Sequence, residues 1–315
     1  MEKFTASKAP IPSAKLMKAP RSVSNPRRLI FHGVDGYDVY NISKPFTIKG
    51  RTYLAGRVER RDNELSVVRI FERTGKEEYT AILPEMTFRN LQDPFVTRIG
   101  SDLVLGGVQI VLHPLDEKRI ISWQTIFFRG KSPEDLKLFA VGPSCMKDIR
   151  LCGLPGGRVA VLTRPQGKRG GKGRIGFTVL DSLKDLCADT ILDAVIDPSY
   201  FLPAEWGGAN DIHLLKNGLL GVMGHIASRT KDGLHYRAMS FVLDPETGEH
   251  TAPRIVACRS DLTTDAPSKR PDLVDVLFTG GILRRKNGRA TLYTGVSDCE
   301  AWCADIDDPF AEWDK

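Results

Sequence analysis

Five times along the chain the same order of positions recurs: an Asp or Asn, an apolar run, a Gly-containing turn, and a second apolar run that ends in polar residues. The first copy starts at Asn41, turns at Gly50 and ends at Gly56, Arg57, Val58 and Glu59. The second starts at Asp93, turns at Gly100 and reaches Gly106 and Gly107; the third starts at Asp148, turns at Gly156 and Gly157 and ends at Arg164. The fourth runs from Asp211 through Asn217 and Gly218 to Gly224 and His225, and the fifth from Asp275 through Asn287 and Gly288 to Ser297 and Asp298. The starts lie 52, 55, 63 and 64 residues apart. Apolar runs joined by Asn-Gly turns predict antiparallel hairpins. One hairpin cannot bury its own faces, whereas five sheets set radially bury each other. The pattern therefore predicts an all-β protein, a five-bladed β-propeller, with a β-sandwich assembly as the competing architecture.

In an antiparallel hairpin the start of the first strand and the end of the second share one end of the pair. A radial array gathers those ends around its axis. Asn41, Arg57, Glu59, Asp93, Asp148, Arg164, Asp211, His225, Asp275 and Asp298 are then expected to ring one mouth of a central channel. Asp and Asn also cap turns, which accounts for any single start. It does not account for the Arg, His and Asp at the returning ends.

Charge changes the picture less than its total suggests. The chain of 315 residues carries a formal net charge of +6. Residues 1–28 hold seven Lys and Arg against one acid, so residues 29–315 hold 38 bases and 38 acids. The excess belongs to a Pro-, Ser- and Lys-rich arm, disordered or wrapped on the body, preceding a single catalytic domain over residues 29–315. Nothing in the neutral body suggests a nucleic-acid groove. No apolar run reaches the roughly 18–20 residues of a membrane span, and the N-terminus lacks the apolar stretch of a signal peptide. An organelle-targeting extension is disfavoured by Glu2 and the prolines, and a cytoplasmic protein is expected. The six cysteines, Cys145, Cys152, Cys187, Cys258, Cys299 and Cys303, read as buried apolar thiols. Cys299 and Cys303 lack the second ligand pair that a zinc site requires, so no metal is expected.

At the repeat residues the chain resembles the five-bladed propeller enzymes of glycoside hydrolase family 130, the β-mannoside phosphorylases. It looks closer still to glycosyltransferase family 108 of mannogen metabolism. The resemblance spans residues 29–315. It rests on Asn41, on Arg57 to Glu59 followed by Ser66, on Gln92, Asp93 and Pro94, and on Lys147 and Asp148. Further on it rests on Leu162 to Pro165, on Gly224 and His225, on Tyr236 with Leu243 to Pro245, and on Tyr293 to Gly295 leading to Asp298. It implies that Asp93 is the single catalytic acid. It sets Asn41, Arg57, Lys147, Asp148 and Asp298 on the sugar, and Arg164, His225 and Tyr236 on phosphate. Two family positions differ: Glu is replaced by Gln92 and Arg by Phe95. Loss of the Glu removes a negative neighbour that would raise the acid's pKa.

Inverting transfer needs an acid on the leaving oxygen and a nucleophile on the opposite face of the ring. A hydrolase adds a second carboxylate to activate water, for which Glu59, Asp148 and Asp275 are candidates. A phosphorylase needs cations and donors that position an anion already nucleophilic. Arg supplies a planar fork for such an anion, His a donor tunable near neutral pH, and Tyr a hydroxyl. The expected reaction cuts a β-1,2-linked mannoside with inorganic phosphate to give α-mannose 1-phosphate. In the synthetic direction mannose 1-phosphate or GDP-mannose serves as donor to mannose or mannooligosaccharides, with no further cofactor. The rivals are a β-mannoside hydrolase and a non-catalytic propeller platform.

Other signals carry less. Residues 167–174 are Gly- and Lys/Arg-rich but lack the spacing of a phosphate-binding loop, and read as a flexible basic hairpin loop. His213 falls within a strand and reads as a core or supporting histidine. Trp206, beside Gly207 and Gly208, reads equally as core or as a stacking face for a sugar. Residues 182–193 have helix-like periodicity and read as an insertion between blades, and residues 132–136 as a turn or short helical start.

Overall fold

A computed structural model of the chain describes residues 4–82, 86–262, 265 and 268–314, with only the backbone of Glu117 and Lys118. The chain is nearly all β. β1 (Val23–Arg28) precedes a seven-stranded group of β2 (Ile30–His32), β3 (Asp38–Tyr40), β4 (Phe46–Ile48), β5 (Arg51–Glu59), β6 (Ser66–Arg73), β7 (Glu78–Ala81) and β8 (Thr87–Arg89). The second group is β9 (Leu91–Ile99), β10 (Asp102–His113), β11 (Asp116–Gly130) and β12 (Lys137–Val141). The third is β13 (Arg150–Gly153), β14 (Val159–Thr163), β15 (Gly176–Leu180) and β16 (Val195–Ile196). β17 (Trp206–Leu214), β18 (Leu220–Thr230), β19 (Gly233–Leu243) and β20 (Arg254–Ala257) form the fourth. β21 (Asp275–Arg284), β22 (Arg289–Val296) and β23 (Glu300–Asp307) form the fifth, with β1 added at its edge. A short parallel pairing of β19 with β21 merges the last two groups into one sheet.

Each repeat read from the sequence is one hairpin: β4 and β5, β9 and β10, β13 and β14, β17 and β18, β21 and β22. Turn chemistry explains the register. Lys49 and Gly50, at φ 47° and 81°, close β4 onto β5 in a two-residue turn, where positive φ matches the strand twist. Gly218 and Gly288 take φ 86° and 73° in the two Asn-Gly turns.

Apolar side chains then pack group against group in a closed order. Tyr53 and Ile70 meet Leu103 and Leu105, and Val104 and Phe127 meet Leu151 and Val161. Leu162 meets Val222 and Phe241, and Met223 and Val242 meet Leu292 and Ala304. Finally, Tyr293 and Cys303 of the fifth group pack on Leu54 and Phe71 of the first. Burying each such side chain contributes about 1.5–3 kcal/mol, so the closure of last group on first is itself stabilising.

The basic arm lies against the body. β1 pairs antiparallel with β23, and β2 pairs parallel with β7, so consecutive strands tie the fifth group to the first. Upstream, Phe4 meets Trp313 edge to face, the Ser13 N–H donates to Glu205 Oε1 at 2.8 Å, and Arg21 pairs with Asp261 at 3.0 Å. Residues 182–193, expected between blades, instead connect β15 to β16 within the third group, through short helical turns at Leu183–Asp185 and Ala188–Leu192. Pro133–Asp135 is a 3-10 turn, as residues 132–136 suggested. Four cysteines are buried, but Cys145 and Cys187 are exposed, both lying in connections rather than on packed strands. Among the described residues no helix is long and apolar enough to cross a membrane.

Candidate active site

Four polar residues of the repeats share an uncommon backbone. Asn41, Asp93, Asp148 and Asp298 take φ values of 43°, 47°, 57° and 52°. Left-handed backbone costs a non-glycine residue about 1–2 kcal/mol, least for Asn and Asp, and its recurrence at three repeat starts and one repeat end suits aiming rather than strand regularity. At Asp93 the device is visible. Gln92 pairs with Val108 and Phe95 with Gly106, so Asp93 and Pro94 together oppose Gly107 in a bulge.

The bulge delivers Asp93 to a cavity of about 210 Å3 whose lining includes Asn41, Arg57, Glu64, Asp93, Lys147 and Asp298. Leu234, Tyr236, Val276 and Phe278 add apolar surface to the lining. Asn41 Nδ2 donates to Asp93 Oδ1 at 2.8 Å, and Arg57 Nη1 to the same oxygen at 3.3 Å. Asp93 Oδ2 has no protein partner among the described residues. Arg57 is in turn held by Glu59, with Nε at 3.0 Å and Nη2 at 2.6 Å from Oε2, while the Tyr40 hydroxyl donates to Glu59 Oε1 at 2.6 Å. Burial pushes the Asp298 carboxyl up to about 6, with Asp93 and Glu64 adding negative charge and Arg57 and Lys269 opposing. Lys147 faces the cavity with no ion-pair partner among the described residues.

Behind Tyr236 lies a second cluster. Asp148 Oδ2 receives Arg164 Nη1 at 2.6 Å, and Arg150 Nη2 stands 3.8 Å from Oδ1. His225 lies 4.0 Å from Asp148, shares a 2.8 Å hydrogen bond with Asn210 and stacks on Tyr236 at 5.4 Å. Burial pushes the His225 imidazole down to about 3; Asp148 opposes this, while Arg164, Lys147 and Arg150 reinforce it. Asp148 is held below the ordinary carboxylate range: burial works against this, and Arg164, Lys147, His225 and Arg150 outweigh it. The cluster fits because Gly208 has no side chain; a Cβ there would stand 2.9 Å from Arg164 Cδ and 3.3 Å from Asp148 Cβ. Among the described residues, Arg164 Nε, His225 Nε2 and Asp148 Oδ1 are buried without a hydrogen-bond partner. An orphaned donor or acceptor in a buried site points to a missing polar partner.

The expected ring thus resolves into two layers. Asn41, Arg57, Asp93, Lys147, Tyr236 and Asp298 line the cavity; Asp148, Arg164 and His225 stand behind it. Asp148 is not among the residues that line the cavity; its Oδ2 is held by Arg164, and its Oδ1 lies 3.8 Å from Arg150. Three residues leave the mouth. Glu59 is buried under Arg57, Tyr40 and Lys269. Asp211 is paired to Lys44 at 2.7 Å and His213 at 2.8 Å, which gives His213 its supporting role. Asp275 pairs with His235 at 2.6 Å, because strand alternation turns Val276 and Phe278 inward and Asp275 away. None of Glu59, Asp148 and Asp275 is among the residues that line the cavity.

Trp206 is no open platform: it is buried, its Nε1 donates to the Tyr236 hydroxyl at 3.0 Å, and Lys172 Nζ sits 5.0 Å above its ring. Residues 167–174 are anchored rather than free, with a helical turn at Gly167–Gly170, Arg169 bonded to the Leu192 carbonyl and the Lys172 carbonyl accepting from Arg164 at 3.3 Å. Phe95, standing where the resembling families have Arg, carries the Arg150 guanidinium 4.6 Å above its ring. Glu64, Lys269 and Arg270, absent from the sequence reading, reach the site from irregular segments that carry no periodic signal. Among the described residues no three His, Cys, Asp or Glu side chains cluster as metal ligands.

Residues 15–312 match the family described as "Protein of unknown function (DUF1861)". The chain belongs to this family. A search of curated proteins returned no match. Among solved structures the DUF1861 chain is similar to the Leishmania mexicana mannose phosphorylase MPT-4, in complex with phosphate ion, at 38% identity and TM-score 0.87 over 94% of this chain and 92% of that one. It is also similar to MPT-1, a GDP-Man-dependent mannosyltransferase of Leishmania mexicana, at 34% identity and TM-score 0.85 over 95% and 94% of the two chains. At 15% identity and TM-score 0.64, over 87% and 91%, β-1,2-mannobiose phosphorylase from Listeria innocua shares the fold.

Proposed function

We propose that this protein transfers a mannosyl group with inversion between a β-1,2-linked mannoside and phosphate, on a five-bladed β-propeller. The five antiparallel groups, each packed on the next and the last on the first, support the five-blade reading. The observation that carries the function is Asp93, with Oδ1 fixed by Asn41 and Arg57 and Oδ2 left for the substrate, facing a cavity it shares with Lys147 and Tyr236. Its likeness to a mannose phosphorylase and to a GDP-Man-dependent mannosyltransferase, both above 30% identity, supports the same chemistry.

In phosphorolysis, Asp93 Oδ2 gives its proton to the glycosidic oxygen, directly or through a sugar hydroxyl, as the C1–O bond breaks. Phosphate forms the new bond to C1 from the opposite face, and α-mannose 1-phosphate leaves. In synthesis, Asp93 takes the proton of the acceptor hydroxyl as its oxygen bonds to C1, and phosphate departs from mannose 1-phosphate or GDP from GDP-mannose. Asn41, Arg57 and Asp298 border the sugar; Lys147 and Tyr236 face the anion, with the unpartnered Arg164 Nε and His225 Nε2 behind them. A phosphorylase suits this site better than a hydrolase, because the expected water-activating carboxylates are locked in ion pairs or turned away.

The test offers β-1,2-mannobiose with phosphate and, separately, GDP-mannose with mannose. Formation of mannose 1-phosphate in the first or of a mannooligosaccharide in the second is expected. Absence of both, or phosphate-independent release of mannose, overturns the reading.

A further inference from the structure

Three carboxylates line the cavity, Glu64, Asp93 and Asp298, and a fourth, Glu59, is buried beneath Arg57. Lys269 stands among them, although nothing in its sequence surroundings marks it. Its side chain is 3% exposed. The ammonium contacts Glu59, lies 3.1 Å from Glu64 and sits 6.0 Å from the centre of the Tyr40 ring. Its backbone N–H donates to the Ser297 carbonyl at 3.0 Å, one residue before Asp298. Ser297 is itself left-handed at φ 50°, and it is tied by N–H to the Val276 carbonyl and by Oγ to the Val274 carbonyl. One residue therefore joins the turn that presents Asp298 to the chain Glu59, Arg57, Asp93.

Burying a lysine costs about 1.5–2 kcal/mol of side-chain entropy, and stripping water from its ammonium adds to that. Apolar replacements of buried ion pairs are often neutral or stabilising, so packing alone does not call for a cation here. Control of charge does. We infer that Lys269 is a positioning residue of the acid site: it holds Glu59, which orients the Arg57 guanidinium on Asp93 Oδ1, and it offsets the carboxylates so that Oδ2 carries the exchangeable proton. The inference rests on Asp93 being the acid.

Charges reach Asp93 from every side. Arg57 comes from β5, Glu64 from the loop after it, and Lys147 and Arg150 from β13 and the turn before it. Asp298 follows β22, Tyr236 lies on β19, and Lys269 and Arg270 precede β21, with Arg270 paired to Glu64 at 3.0 Å. Removing one ammonium from this set favours the protonated carboxyls, so their titration moves upward.

The experiment compares Lys269→Met, Lys269→Arg and the double variant Glu59→Gln/Lys269→Met, which leaves no unpaired charge at this position. Two readouts are taken: the pH profile of kcat/KM, and carboxyl titration by 13C NMR of Asp-labelled protein without substrate. Lys269→Met is expected to raise the basic limb and the Asp298 titration by about one unit, and to lower kcat about tenfold with KM nearly unchanged. Lys269→Arg and the double variant are expected to return the limb toward that of the parent. Unmoved titrations in folded Lys269→Met, or a Lys269→Arg protein impaired as much as Lys269→Met, overturn the inference. Carboxyl titrations that shift in a protein with neither activity support Lys269 while overturning the proposed function.

Discussion

Asp93 and Asp148 are presented by the same left-handed backbone at the starts of successive hairpins, and they end in opposite electrostatic settings. Asp93 has one oxygen held by Asn41 and Arg57 and the other left to the cavity. Asp148 is enclosed by Arg164 and Arg150, beside a neutral His225. The backbone device aims a carboxylate; the neighbours decide whether it exchanges a proton or anchors cations. Space makes the difference. Gly208 lets Arg164 close on Asp148, whereas Asp93 borders a cavity that Tyr236, Val276 and Phe278 also line.

The largest expected effects separate the two carboxylates by kind. Asp93→Asn removes the proton donor and should lower kcat by about 10²–10⁴-fold, with the thermal midpoint nearly unchanged in a melting scan. Asp148→Ala leaves Arg164 and Arg150 buried without their anion and should cost about 3–5 kcal/mol of stability, read by denaturant titration. If Asp93→Asn chiefly unfolds the protein while Asp148→Ala chiefly slows it, the two roles are reversed.

A smaller effect concerns Asp298. Its folded value of about 6 lies above the ordinary 3.8, so the native state binds this proton more tightly than the unfolded chain. Its contribution to stability is fully present below pH 3.8 and is lost as pH rises through 6. Asp298→Asn removes that loss and should be about 1–2 kcal/mol more stable than the parent at pH 7, a difference that vanishes toward pH 4. His225 has the opposite sense. Held near 3, it contributes stability that is full above pH 6.5 and falls as the pH drops toward 3. The smallest effect sharpens the acid itself: Gln92→Glu adds a negative charge beside Asp93 and should move the basic limb of kcat/KM upward by about half a unit.

What could be read from sequence follows from how local each cause is. The hairpins were legible because Lys49 with Gly50, Asn217 with Gly218 and Asn287 with Gly288 specify their turns by themselves. Asn41, Arg57, Asp93 and Asp298 were legible as cavity residues because repeat position and family resemblance agree on them, and Tyr236 through the resemblance alone. Asp275 was misread because a strand exposes alternate residues, and a shift of one exchanges Asp275 for Val276. The depth of Arg164 depends on Gly173 and Gly208 packing against it, a contact between distant segments. Glu64, Lys269 and Arg270 lie in irregular segments and acquire meaning only when those segments meet over the cavity.

The central claim is a single acid working with phosphate as nucleophile, and the configuration of the first product tests it most directly. With β-1,2-mannobiose and phosphate, a 1H and 31P NMR time course should show α-mannose 1-phosphate appearing in step with free mannose, and neither forming without phosphate. Appearance of the β-phosphate, or mannose released at the same rate without phosphate, would contradict the account.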